Sequence, residues 1–128
     1  MTNTERLSPL DSSFLHLENQ FAHMHIGSTS IFEGPTPPFE DVRALVEAKL
    51  ADIPRYRQVV RFVPMDLGRP VWADDPHFHL NFHVRHTALP APGGRKELHQ
   101  LVARVMSQQL DRSRPLWEMW IVEGLNDD

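Results

Sequence analysis

"RSRPLWEMWIVEGLNDD" closes the sequence at residues 112–128, and its reading decides what kind of fold the rest must build. Taken at period two, Trp117, Met119 and Ile121 fall on one face and Glu118, Trp120 and Val122 on the other, so 117–122 is predicted as a strand apolar on nearly both sides. Such a strand belongs inside a sheet covered on both faces. "GLNDD" (124–128) then has the composition of a hairpin turn, with Gly for a positive φ and Asn and Asp to bond their own backbone, and that announces a returning strand. No strand follows Asp128, so the expectation is a sheet left unfinished at its C-terminal end.

Working outward, Leu98, Leu101, Val102, Val105 and Met106 sit at i, i+3, i+4, i+7 and i+8 and predict an amphipathic helix over 95–109. "HLNFHVRH" (79–86) alternates Leu80, Phe82 and Val84 against Asn81, His83 and Arg85 and reads as a strand. Two more short strands are expected at 58–63 and 70–73, joined by a Gly-containing turn. Phe39, Val42, Leu45, Val46, Leu50 and Ile53 mark one face of a helix that Pro54 ends. "MHIGSTSIFE" (24–33) reads as a strand whose Ser and Gly leave its middle thin, a place where something packs or binds closely. Before it, Ser8 is placed to cap a short helix, with Pro9 first and Asp11 three after the cap, followed by Leu10, Phe14, Leu17 and Phe21 at helical steps. Helices and strands interleave throughout, which is a mixed α/β (α+β) class.

The 128 residues amount to one domain, and 41% hydrophobic with 23% charged content is that of an ordinary globular chain. No apolar run approaches the ~20 residues needed to cross a bilayer. "MTNTERLSPLDSS" lacks a basic region followed by an apolar one, so the expected address is the cytosol. The absence of cysteine excludes a disulfide scaffold, a thiol nucleophile and thiolate metal sites. A formal charge of −4 offers no basic field for nucleic acid.

Histidines are the tempting chemistry. "HFHLNFH" brings His77, His79 and His83 together, but on a strand His79 and His83 would stand ~13 Å apart, too far for one ion. His23 and His25 in "HMH" share a strand face and read as packing. No G-x-S-x-G surrounds any serine. "LGRP" and "PGGR" are turns rather than phosphate loops, and the adjacent carboxylates of "WADDP" point to opposite sides of a strand. The residues alone yield no metal ligand set and no catalytic set.

Several segments taken together are more specific. "LSPLDSSFLHLE", "MHIGSTSIFEGP", "IPRYRQVV", "LGRPVWADDPHFHLNFHVRHTALPAPGG" and "LDRSRPLWEMWIVEGL" resemble, in order and spacing over residues 7–125, the N-terminal quarter to third of the bacterial wax ester synthase/acyl-CoA:diacylglycerol acyltransferase family. Ser8, Pro9, Leu10 and Asp11, and Pro115, Leu116 and Trp117, match motifs that family carries. The stretch "DDPHFHLNFHVR" is similar to its aspartate-rich block, with His77 and His79 where that block is acidic.

The resemblance implies part of the first domain of a CoA-dependent acyltransferase fold, as in chloramphenicol acetyltransferase, with the active site in a tunnel between two similar domains. It also implies that the strand following "PLW" leads into a His-His-x-x-x-Asp-Gly motif whose second His is the general base. This sequence has no adjacent His-His pair, so no catalytic residue carries over. The resemblance therefore leads one to expect an N-terminal segment of an O-acyltransferase, inert alone. Acyl-CoA would be its co-substrate rather than a resident cofactor, and diacylglycerol or a fatty alcohol its acceptor. The remaining catalytic portion would be its partner, as a separate chain if present. Peripheral attachment to a membrane or lipid inclusion belongs to the same expectation, while self-association is expected from the open edge that strand 117–122 would leave. The alternative is a non-catalytic interaction or lipid-binding fragment; a metal-dependent hydrolase is a distant third.

Overall fold

The computed structural model describes residues 5–126 and contains β1 (Glu5–Arg6), α1 (Pro9–Leu17), α2 (Phe39–Leu50), β2 (Gln58–Arg61), β3 (Val71–Asp74), α3 (Leu80–His83), β4 (Val84–Ala88), α4 (Arg95–Met106) and β5 (Met119–Glu123). The two-faced C-terminal strand sets the arrangement. β5 runs parallel to β4, from Val84 opposite Met119 to Ala88 opposite Glu123, and α4 makes the crossover between them. Parallel pairs need cover on both faces, and both are covered. Leu50, Leu80 and Val84 form a buried cluster with Phe39, Val46, Trp117 and Ile121 on the α2 side. Leu89, Leu98 and Leu101 form another with Val102, Val105, Val122 and Leu125 on the α4 side. Neighbours Ile121 and Val122 thus go to opposite layers, as period two requires.

A second sheet, antiparallel, has the order β1-β3-β2, with Arg6 and Arg61 both opposite Val71. At the start of α4 the Gly94 amide donates to Glu97 Oε2 at 2.9 Å, filling one of the orphan positions of a helix start. Gly93 has φ 72, and a Cβ there would overlap the Gly124 carbonyl oxygen, so only glycine fits.

Three expectations change. Gly124 does take a positive φ of 85, but Gly124–Asn126 does not fold back. The Leu89 amide donates to Glu123 O at 2.8 Å and the Asn126 amide to Gly93 O at 2.7 Å, so the chain runs on beside the 89–93 loop. The last two residues of the expected turn, Asp127 and Asp128, lie outside the described residues. Residues 80–83, expected in a strand, form a helical turn before β4. Leu80 and Val84 both belong to the α2-side cluster, and a pattern this short satisfies the i, i+4 helical spacing as well as alternation.

Residues 24–33, expected as a strand, form no ladder among the described residues. Strand propensity there finds no partner, because a strand exists only where another chain segment takes its N–H and C=O groups. The helix at the N-terminus forms as read, Ser8 Oγ accepting from the Asp11 amide at 3.1 Å with Pro9 in its first turn. Its apolar residues Leu10, Phe14 and Leu17 nevertheless stand exposed.

Candidate functional site

The segment 111–117 leads into β5 and is fastened at several points. Arg112 donates to Leu15 O at 2.7 Å and pairs with Glu18 at 3.0 Å, binding this segment to α1. Pro115 is buried, and Trp117 Nε1 donates to Tyr56 O at 2.7 Å. His83 lies flat between Trp117 and Phe78, ring centroids 4.6 and 5.1 Å away, and its Nδ1 meets Trp117 O at 2.8 Å. The carbonyl can only accept, so Nδ1 carries the hydrogen. Burial holds the His83 pKa below the usual imidazole value, assisted by the charge of Arg114 and opposed by the Trp117 hydrogen bond and by Glu118 and Asp75. A neutral, fully enclosed imidazole is a packing group; of the three histidines in "HFHLNFH", His77 and His79 are exposed and only His83 is inside.

Beside this cluster the edge of β5 away from β4, unpaired among the described residues, faces the ladderless segment 25–30 across a groove of about 620 Å³. One wall is α4, through Leu101, Val105 and Met106; another is Leu116, Trp117, Met119 and Trp120; the third is His25 to Ser30. Two residues hold that third wall. Glu18 Oε2 accepts from the Met24 amide at 2.9 Å, while Oε1 accepts from Gln109 at 2.8 Å and from Arg112. Burial pushes the Glu18 pKa up, but the hydrogen bonds from Gln109, Met24 and Arg112, with the Arg112 charge, outweigh it and leave the carboxyl below its usual range.

His25 Nε2 meets Met106 O at 3.1 Å, and Gly27 lies so close to α4 that a Cβ would come 2.8 Å from Met106 Sδ. The thin middle of 24–33 is filled by Met106. His25 Nδ1 and Trp120 Nε1 are buried without partners among the described residues.

The two motif groups are separated by this geometry. Leu116 and Trp117 line the groove; Ser8, Pro9, Leu10 and Asp11 stand at the start of α1 and do not line it, and the groups are joined by Arg112 on the far end of that helix. Glu18 and His25 are the residues that sequence reasoning missed. Nothing in a lone glutamate after a helix announces a hub, although "HMH" did place His25 on one face with His23, whose ring lies 5.5 Å away.

Residues 7–128 match the family described as the wax ester synthase/diacylglycerol acyltransferase catalytic domain. The chain belongs to this family. Among the relatives of this family member is the Mycobacterium tuberculosis protein named "Probable diacyglycerol O-acyltransferase tgs3", 48% identical over 122 residues, 94% of this chain and 45% of that protein. A second from the same organism, "Probable diacyglycerol O-acyltransferase tgs1", is 43% identical over 123 residues, 94% of this chain and 27% of that protein.

The solved structure of a wax ester synthase/diacylglycerol acyltransferase from Marinobacter aquaeolei superimposes with a TM-score of 0.65 at 31% identity, covering 95% of this chain and 30% of that one. The acyltransferase fold is therefore shared, as part of a domain, and the chain spans less than half the length of these relatives. No helix among the described residues is long and apolar enough to cross a membrane.

Proposed function

We propose that residues 1–128 form the N-terminal part of the first domain of an O-acyltransferase that moves a long-chain acyl group from acyl-CoA to diacylglycerol or a fatty alcohol. The groove is one wall of its lipid-holding tunnel. The apolar 620 Å³ groove beside the free edge of β5 carries this reading, since acyl chains call for an apolar concavity of this order. Leu116 and Trp117 act as lining, Pro115 fixes the entry to β5, and Ser8, Pro9, Leu10 and Asp11 start α1; none touches the reacting atoms.

Transfer from a thioester to an alcohol needs a base for the attacking hydroxyl and donors for the tetrahedral oxyanion. The histidine lining the groove, His25, has Nε2 engaged by the Met106 carbonyl and Nδ1 shut away from solvent. It holds the wall rather than moving a proton. The base thus belongs to the remaining catalytic portion, which is the partner of this segment, and the segment alone is inert. Acyl-CoA is a co-substrate here, and the lipid acceptor points to work at a membrane or lipid-inclusion surface.

Two assays test the reading. The purified chain, given radiolabelled palmitoyl-CoA and hexadecanol or diacylglycerol, should show no turnover above the uncatalysed rate; turnover would put a base inside these residues. A chimera carrying these residues in place of the matching part of the tgs3 protein should transfer acyl groups to acceptors dispersed in detergent. A folded chimera without activity, beside an active parent, would overturn the assignment. The second reading, a fragment that pairs with another chain without catalysis, is favoured by one observation, the edge of β5 that is unpaired among the described residues.

A further inference from the structure

The hairpin between β2 and β3, "RFVPMDLGR" (61–69), lies outside the groove and has a chemistry of its own. Its tip carries three bare apolar side chains beside one acid, Asp66: Met65 is 89% exposed, Leu67 81% and Phe62 47%. Met65 also takes φ 61, a left-handed conformation that a residue with a side chain adopts reluctantly, so this apolar tip is not the relaxed form of a polar turn.

Below the tip stand three arginines. Arg6 and Arg61 flank Val71 from the two neighbouring strands, and Arg69 follows the turn. Arg6 donates to Arg69 O at 3.0 Å and Arg69 to Leu7 O at 2.9 Å, contacts with neutral carbonyls that fix the guanidiniums without neutralising them. None of the three forms an ion pair with any side chain that the structure describes, Asp66 being outside that set, whereas Arg43, Arg55, Arg85, Arg112 and Arg114 each face a carboxylate. In a chain of formal charge −4, three arginines against the single Asp66 make this a locally basic collar around the apolar side chains of the tip.

We propose that the 61–69 hairpin is a membrane-docking element for anionic bilayers, with Phe62, Met65 and Leu67 entering below the headgroups and Arg6, Arg61 and Arg69 resting on lipid phosphates. The charge decides the partner. Three side chains at a hairpin tip are far short of the ~800 Å² per partner of a stable protein interface, but amphiphilic points of this kind suit the apolar-to-anionic gradient at a bilayer surface. The proposal rests on the lipid-acceptor reading only for its purpose, since it would bring the enzyme to the phase that holds such acceptors.

Vesicle flotation of the 128-residue chain tests it, using phosphatidylcholine alone and phosphatidylcholine mixed with phosphatidylglycerol. The parent should float with the anionic vesicles and less so as salt is added. The double variant Met65→Asp, Leu67→Asp should lose binding about tenfold or more, and Arg61→Glu about fivefold or more. Phe21→Asp with Phe32→Asp, at residues 89% and 87% exposed elsewhere on the surface and outside the groove, should bind like the parent.

Equal binding to neutral and anionic vesicles, a tip variant that binds like the parent, or an equal loss in the Phe21/Phe32 variant would each overturn the proposal. All these side chains are exposed, and circular dichroism of each variant should match the parent. The detergent-based chimera assay reads acyl transfer without a bilayer, so failure of docking and failure of the acyltransferase reading remain distinguishable.

Discussion

Removing the Trp117 ring is the most informative perturbation of the core. The ring stacks on His83 at 4.6 Å with planes 18° apart, meets Tyr56 at 5.5 Å and donates from Nε1 to Tyr56 O at 2.7 Å. Truncating a fully buried Trp costs ~3–5 kcal/mol. Trp117 is half-buried, because one side looks into the groove, so packing contributes about 2 kcal/mol and the hydrogen bond about 1. At ~2.1 cal/mol/K per residue, unfolding 128 residues carries about 270 cal/mol/K, so Trp117→Ala should lower Tm by about 10 °C. Trp117→Phe keeps the stack and loses the donor, for about 4 °C. Far-ultraviolet circular dichroism melts of dilute protein measure both. An alanine variant melting within about 2 °C of the parent would show that "PLW" does not hold the fold, and a chimera with native Tm but no turnover would make Trp117 a substrate contact instead.

His83 makes stability pH-dependent with a definite sign. Its folded pKa is lowered, so the unfolded chain takes up a proton first as pH falls; stability is full above about 6.5 and should drop below it, and His83→Phe should flatten melts compared between about pH 7 and 5. Glu18, 9% exposed and hydrogen-bonded to three residues, should on change to Gln cost about 1–3 kcal/mol and speed amide exchange at Met24. Its carboxyl sits below the usual range, so that contribution is present above about pH 4.5 and fades only as more acid reaches the lowered pKa; exchange at Met24 that is unchanged in Glu18→Gln would remove Glu18 from its role as hub. The free edge of β5 should make the chain associate with rising concentration, and Met119→Lys should weaken this; sedimentation showing a monomer across a roughly tenfold concentration range would argue against it.

The parts of the fold that were legible are those whose pattern is long or punctuated. The α4 helix sets five apolar residues at helical spacing, the α1 cap has Ser8 and Pro9 in fixed positions, and Trp117 to Val122 alternates long enough to specify both faces. Residues 80–83 depart from the strand expectation because a single helical turn carries too few positions to separate one period from the other. The failure at 24–33 is of another kind. The composition there is that of a strand, but pairing is a property of two segments, and no strand among the described residues forms a ladder with it. The site was legible through Leu116 and Trp117 and opaque through Glu18 and His25, since their roles come from backbone groups, Met24 N–H and Met106 C=O, that no side-chain pattern encodes.

The groove itself bears on that missing neighbour. β5 has one edge bonded to β4 and one unpaired among the described residues, and across the groove lies a ladderless segment of strand composition. Trp120 Nε1 and His25 Nδ1, buried in its walls, lack partners there, and each such group typically costs ~1–3 kcal/mol. Apolar walls, an unpaired edge and orphaned polar atoms are three separate costs at one place. A groove lined by lipid tails alone would relieve the first and leave the other two. An added strand from the rest of an acyltransferase would relieve the backbone as well, which is why the lipid-tunnel and strand-pairing readings describe neighbouring parts of one site rather than rivals. The two are separable at Met119 and Leu101. A lysine at Met119, on β5 itself, should disturb pairing, whereas Leu101→Ala on α4 enlarges the apolar wall and should shift acyl-chain preference toward longer chains in the tgs3 chimera while leaving pairing intact.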